Sequence, residues 1–256
     1  MTDTGRSGKK GKIKEGDVFP TNEGGLVTVV SYEAWNKIVV KHMDERGHAA
    51  TVRSDHIVSG RIKNPFHPST FGVGYIGVGE YMSRKAGKNT AQYITWRNMI
   101  QRCYSAAYQA KYPSYKGCSV AREWHNFQNF ARWFDGQPHS LDPGFSLDKD
   151  LIYLGNKTYS PDACSFVPHE VNKVLINCKS ARGPLLQGVS IRGNAFIAKV
   201  SSGGDTLRIG TFPTPEMASS AYVNSKKSVV RAVAEKWKRF LDPRVYENLC
   251  RWEMAQ

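Results

Sequence analysis

Chemistry-bearing residues gather in two stretches of this 256-residue sequence. In the first, Ser146-Leu147-Asp148-Lys149-Asp150-Leu151 leads through Gly155-Asn156-Lys157-Thr158-Tyr159-Ser160-Pro161 into Cys164-Ser165-Phe166-Val167-Pro168, then to His169 and Asn172. The pattern predicts strand, turn, strand and helix. A short hairpin against a helix is the compact frame on which metal-dependent nucleases hold their ligands. Asp148 and Asp150 either bind a cation there or cap turns and pair with Lys149, Lys157 or Arg102, and the residues alone leave both readings open. In the second stretch, Val189 to Ile191, Phe196 to Val200 and Leu207 to Phe212 read as three short strands split by Gly193-Asn194 and Ser201-Ser202-Gly203-Gly204-Asp205. One face of such a sheet presents, depending on register, Arg192, Lys199 and Arg208.

These residues need elements to position them. After the third strand, Thr214 suits an N-cap, Pro215 the first helical position and Glu216 the positive end of the helix dipole. Met217, Ala218, Ala221, Tyr222 and Val229 or Val230 give that helix an apolar face, and the small Ala218 and Ala221 let it lie close to the sheet. Upstream, Tyr93, Trp96, Arg97, Ile100 and Tyr104 recur at helical spacing, and Val120 to Phe134 forms a second amphipathic stretch with Trp124, Phe127, Phe130, Ala131 and Phe134 on one side. Between them lies the aromatic loop Tyr112 to Cys118. Aromatics beside Lys and Arg can stack nucleobases, although aromatic stripes at this spacing are more often core. Residues 15–60 contain β-rich runs at Leu26 to Tyr32, Lys37 to Lys41 and Ala49 to Arg53, a small antiparallel sheet or barrel. Residues 61–88 read as a Gly/Pro-rich linker. Gly72-Val73-Gly74-Tyr75-Ile76-Gly77 within it formally matches a dinucleotide loop but lacks the flanking strand, helix and acidic residue. Residues 1–14 read as a flexible basic arm.

The chain carries 36 Lys+Arg against 22 Asp+Glu, a net charge of +14, which points to a polyanionic partner. No apolar run reaches the roughly 18 residues of a transmembrane helix, and the polar N-terminus has no signal core, so no membrane partner and a cytoplasmic location are expected. The five cysteines are odd in number and widely spaced, as reduced packing residues would be. Phosphate-binding, nucleophile-elbow and zinc-protease motifs are absent from the sequence.

Gly188-Val189-Ser190, Ala195-Phe196-Ile197-Ala198 and Ile209-Gly210-Thr211-Phe212-Pro213-Thr214-Pro215-Glu216-Met217-Ala218-Ser219-Ser220-Ala221-Tyr222 resemble the plant APETALA/ethylene-response-factor type of DNA-binding domain. The resemblance implies three strands in the major groove and a helix bracing them from behind. Arg192 falls near that family's first-strand arginine, Phe196 replaces a common tryptophan, and Lys199 and Arg208 sit on strands two and three. Residues Tyr93 to Val174 look like a phage and homing-endonuclease group of the HNH superfamily, carried by Trp96-Arg97-Asn98-Met99-Ile100-Gln101-Arg102-Cys103, Trp124 to Phe130, the Asp148-Lys149-Asp150 and Asn156 segments, and Asn172. In phage members this unit is often coupled to a C-terminal domain of the first type.

The HNH resemblance implies a His general base and a single divalent ion such as Mg²⁺ on the scissile phosphate. The hairpin position for that His holds Lys149, better suited to contact phosphate, as is Lys157. The remaining catalytic candidates are Asp148, Asp150, His169 and Asn172, with Asp148, Asp150 and Asn156 as metal ligands. The expected architecture is α+β: a small N-terminal β unit (15–60), a helix-rich HNH-like domain (89–180), and a three-stranded sheet on one helix with a helical extension (185–256). The expected function is that of a double-stranded DNA-binding, phage-type protein with degenerate nuclease residues. Its competitors are an active metal-dependent endonuclease and an accessory protein that binds a phage or host protein, or RNA, with residues 15–60.

Overall fold

Alternating apolar residues between positions 26 and 52 build a meander. In the computed structural model, which describes residues 12–175, 186–202 and 204–253, β1 (Val18–Pro20), β2 (Leu26–Ala34), β3 (Lys37–His42) and β4 (Ala49–Val52) pair antiparallel in that order. Val27, Val29, Ile38 and Val40 share one face, and the register sets Ala50 opposite Val40 and Val52 opposite Ile38 to extend it. Ile57 of α1 (Ser54–Val58) and Ile62 close over that face. Each such burial stabilises by about 1.5–3 kcal/mol relative to exposure. Most of the expected basic arm, residues 1–11, lies outside the described residues.

The segment expected as a linker is fastened to structure. Thr70 bridges Gly74, and a Cβ on Gly74 would stand 2.8 Å from the Trp96 ring. The buried Gln128 side chain both donates to the Tyr81 carbonyl and accepts its N–H, each at 2.9 Å. A small hairpin, β5 (Arg84–Lys85) and β6 (Lys88–Asn89), follows.

Thr90 caps α2 (Ala91–Tyr104) by accepting the Tyr93 N–H. The buried face of α2 is Trp96, Met99, Ile100 and Cys103, the i, i+3, i+4, i+7 set of one helix stripe. That stripe is rotated from the expected one. Arg97 points out over the Phe71 ring, and Met99 and Cys103 take the inward places. After α3 (Ala106–Lys111), the expected single amphipathic stretch divides into β7 (Ser119–Val120), a 3₁₀ turn at Arg122–His125 and α4 (Phe127–Asp135). The break has a local cause, since Asn126 accepts the Gln128 N–H at 3.0 Å and starts a new helix. Trp124 still reaches the core, where Trp96 Nε1 donates to its carbonyl at 2.7 Å.

Next come β8 (Phe145–Asp148), β9 (Thr158–Tyr159), β10 (Ser165–Pro168) and α5 (His169–Val174). The hairpin partner of β8 is β10, whereas β9 runs parallel to β7. Then β11 (Val189–Arg192), β12 (Ala195–Ser202) and β13 (Asp205–Phe212) form an antiparallel sheet backed by α6 (Pro215–Trp237), whose N-cap Thr214 accepts the Met217 N–H. Val189, Ala198 and Val200 meet Ala218 and Tyr222 there. Gly188 enters at φ +76°, and a Cβ on it would stand 2.0 Å from the Tyr222 ring, so only glycine fits this approach.

The C-terminal half of α6 turns from the sheet to another core. Val230, Val233 and Ala234 join Leu241, and Val245 and Leu249 of α7 (Pro243–Arg251), against Leu151, Ile152, Val167, Val171 and Val174. Glu170 accepts from Lys236 Nζ and Trp237 Nε1, and Asn248 Nδ2 donates to the Leu151 and Ile152 carbonyls. Residues expected to fall into two domains, before 180 and after 185, therefore share this core. The architecture is α+β. It divides into two compact units, residues up to Ser69 with Tyr75–Val78, and Thr70–Gly74 with Gly79 onward. No helix among the described residues is long and apolar enough to cross a membrane.

Candidate functional site

Pairing of β8 with β10 sets Asp148 opposite Ser165, and the continuation of β10 into α5 brings Asn172 beside Ser146, whose Oγ accepts from Asn172 Nδ2 at 2.9 Å. Asp148, Lys149, Asp150, Lys157 and Asn172 thereby line one cleft of about 250 Å³. Two candidates do not join them. His169 is exposed in the first turn of α5 and off the cleft wall, because the strand-to-helix turn points it outward. Asn156 is consumed by the turn: its Nδ2 donates to the Lys149 and Thr158 carbonyls at 2.6 and 2.7 Å, and its Oδ1 accepts the Thr158 N–H. It organises the loop and does not reach the cleft as a ligand.

The carboxylates have structural work of their own. Asp148 Oδ1 accepts the Asp150 and Leu151 N–H groups at 2.9 and 2.8 Å, and Asp150 Oδ2 accepts Lys149 Nζ at 3.0 Å. Among the described residues no three His, Cys, Asp or Glu side chains converge as a metal set. For a divalent ion the cleft offers Asp148, Asp150 and the amide oxygen of Asn172, with water needed in the other positions.

Arg102, expected as a pairing partner of the two carboxylates, lines the cleft, and so do Tyr115 and Tyr159, which the sequence did not mark for this site. Arg102 comes from α2 and Tyr115 from the loop after α3, both distant in sequence, whereas Tyr159 of β9 belongs to the same stretch as Lys157. Burial opposes the Arg102 charge, but Tyr159 and Tyr115 beside it hold its pKa above the ordinary value. The guanidinium lies 5.6 Å from the Tyr115 ring centroid, and its buried Nε has no hydrogen-bond partner among the described residues. Burial likewise works against the Lys149 charge, yet neighbouring Asp150 raises its pKa. Lys149 is therefore a standing cation and not a proton acceptor.

Burial, then repulsion from Asp150, pushes Asp148 up to about 7 from 3.8, against the two N–H groups that favour its charge. A carboxyl raised in the folded state keeps its proton while the unfolded chain has lost it, so stability declines as pH rises from about 4 towards 7. Asp148→Asn retains an oxygen acceptor for both N–H groups and removes the charge. It is expected to match wild type near pH 4 and to exceed it near pH 8 by up to a few kcal/mol in urea denaturation. Coincident curves near pH 8 would show that Asp148 is ionised in the fold at no cost.

A second candidate surface is the face of the C-terminal sheet away from α6. Arg192 lies opposite Ala195, Lys199 opposite Arg208, and Ile197 between Ser190 and Thr211. A bulge decides this arrangement. The pairing passes from Ala198–Gly210 to Lys199–Arg208, skipping Ile209. In an unbroken ladder Arg208 would face Val200 and point towards α6; the extra residue turns it to the side of Arg192 and Lys199. All three cations are exposed, and Arg208 Nη2 donates to Thr211 Oγ1 at 2.5 Å. Phe196 corrects the expectation. It pairs with Phe212, and both pack against the Val189–Ala198–Tyr222 cluster on the α6 side, so Phe196 supports the sheet and is not on the outer face.

No protein-family model, curated protein or solved structure matches this chain.

Proposed function

We propose that the protein binds double-stranded DNA in the cytoplasm of its host as a phage-type protein whose HNH-like cleft is catalytically degenerate. The observation that carries this reading is the cationic sheet face: Arg192, Lys199 and Arg208, exposed together opposite the bracing helix. A three-stranded sheet is narrow enough to enter the major groove, where arginine can bind guanine in bidentate fashion. Lys149 and Lys157 in the cleft supply phosphate contacts. The test is titration of labelled duplexes with the full chain over a salt series. Affinity should fall steeply with salt for every duplex and differ among sequences; binding that ignores both salt and sequence rejects the reading.

A second reading, metal-dependent strand cleavage, draws on the meeting of Asp148, Asp150 and Asn172 in one cleft. These residues would hold the ion, which would supply a polarised phosphate and an activated water. Supercoiled plasmid with Mg²⁺ or Mn²⁺ separates the two. The degenerate site predicts no nicking, and nicking abolished by Asp148→Ala would establish the enzyme instead. A protein partner for residues 15–60 has the exposed Val18 and Leu26 in its favour, diagonal to one another on one face of β1 and β2, with Val18 opposite Thr28 and Leu26 opposite Pro20.

A further inference from the structure

The tyrosines at 108, 112 and 115 are not core residues. Helix α3 buries none of its side chains, and Tyr112 just beyond it keeps 41% of its surface exposed. The rings form a row, with Tyr112 4.7 Å from Tyr108 and Tyr108 5.7 Å from Tyr115. Tyr115 lines the cleft beside Arg102, and Lys111 Nζ lies 5.4 Å from the Tyr112 ring centroid. An aromatic row thus runs from the surface to a pocket holding Arg102, Lys149 and Lys157.

We propose that this cleft and its tyrosine row bind an unpaired stretch of a single nucleic-acid strand, with a phosphate facing Arg102, Lys149 and Lys157 and a base stacked on Tyr112. The chemistry of each half requires the other. Arg102 brings a guanidinium to the cleft wall, and a phosphate oxygen is the acceptor that pairs most strongly with such a cation. The two carboxylates in the cleft are already engaged, Asp150 by Lys149 and Asp148 by two backbone N–H groups. Exposed aromatic rings beside cations are the platform on which single strands stack, because an unpaired base offers a free π-face that a duplex covers with its neighbours. The site shares Lys149 and Lys157 with the duplex reading but needs neither Arg192 nor Arg208.

The test uses the full chain and fluorescence anisotropy with a short oligothymidylate, the same strand made of abasic sugar-phosphate, and a duplex. Wild type should bind the base-bearing strand more tightly than the abasic one by roughly five- to 150-fold, the usual cost of losing one stacked base. Tyr112→Ala should erase that difference, and Tyr112→Trp should restore it; both substitutions are exposed, and a thermal melt checks that each protein folds. Arg192→Ala/Arg208→Ala should leave the difference intact while weakening the duplex, so failure of the sheet reading is seen separately. The same Tyr112 dependence on oligouridylate would identify RNA as a source of the strand. Equal affinity of wild type for base-bearing and abasic strands, or equal loss on both in Tyr112→Ala, overturns the proposal.

Discussion

Replacing Arg192 and Arg208 together by alanine is expected to weaken duplex binding by roughly thirtyfold to twenty-thousandfold, since each good bidentate arginine–guanine pair contributes about 1–3 kcal/mol. Sequence discrimination should fall with it. Removing a cation that touches only phosphate acts differently, lowering affinity for all duplexes alike and making the slope of log affinity against log salt shallower by about 0.9. Lys199→Ala is the comparison for that behaviour. Stability should hardly move, because both arginines are exposed and, among the described residues, Arg208 hydrogen-bonds to the Thr211 hydroxyl alone. A control of equal charge change is Lys85→Ala/Lys88→Ala in the exposed β5–β6 hairpin. If the control loses as much affinity as the arginine pair, net charge drives binding and the sheet face is not the reader.

The largest expected effect on stability comes from Val245→Ala/Leu249→Ala. Both side chains are at most 1% exposed, and together they seal Leu151, Val167 and Val171 of the hairpin region against α6. Leucine truncation in a core costs about 2–5 kcal/mol, and the valine change adds about 1–3 more through its lost methyls and the cavity. A domain has about 5–15 kcal/mol in total, so the double variant should sit at the edge of folding. Urea denaturation followed by near-UV circular dichroism measures it. The hairpin needs this lid, and a fragment of residues 89–185, which leaves out the separate N-terminal unit, should show no cooperative transition. A fragment of that length that melts sharply would mean the hairpin region is an independent domain after all.

What could be read from the sequence was local. Thr214-Pro215-Glu216 announces a helix start because capping and dipole preferences act within four residues, and α6 begins there. The β2, β3 and β4 strands follow from alternation. What could not be read depends on contacts between distant residues. Arg97 and Met99 lie about 200° apart around α2, and the packing of Trp96 under Gly74 and Trp124 settles which side faces in. The outer face of the C-terminal sheet hinges on one skipped residue, Ile209, which alternation alone cannot place. The carboxylate pair of the cleft was visible as Asp148 and Asp150, with Arg102 as a possible partner, whereas Tyr115 was not, since it arrives from a loop more than thirty residues upstream.

Helix α6 belongs to both the sheet core, through Ala218 and Tyr222, and the hairpin core, through Val230, Val233 and Ala234. Its 23 residues make a rod of about 34 Å, with each residue adding about 1.5 Å and 100° of turn. One residue inserted between Tyr222 and Val230 would therefore rotate the sheet by more than a quarter revolution about the rod relative to the hairpin, and only near-whole turns would return the two to the same phase. Length in this part of the chain is indexed like the teeth of a gear.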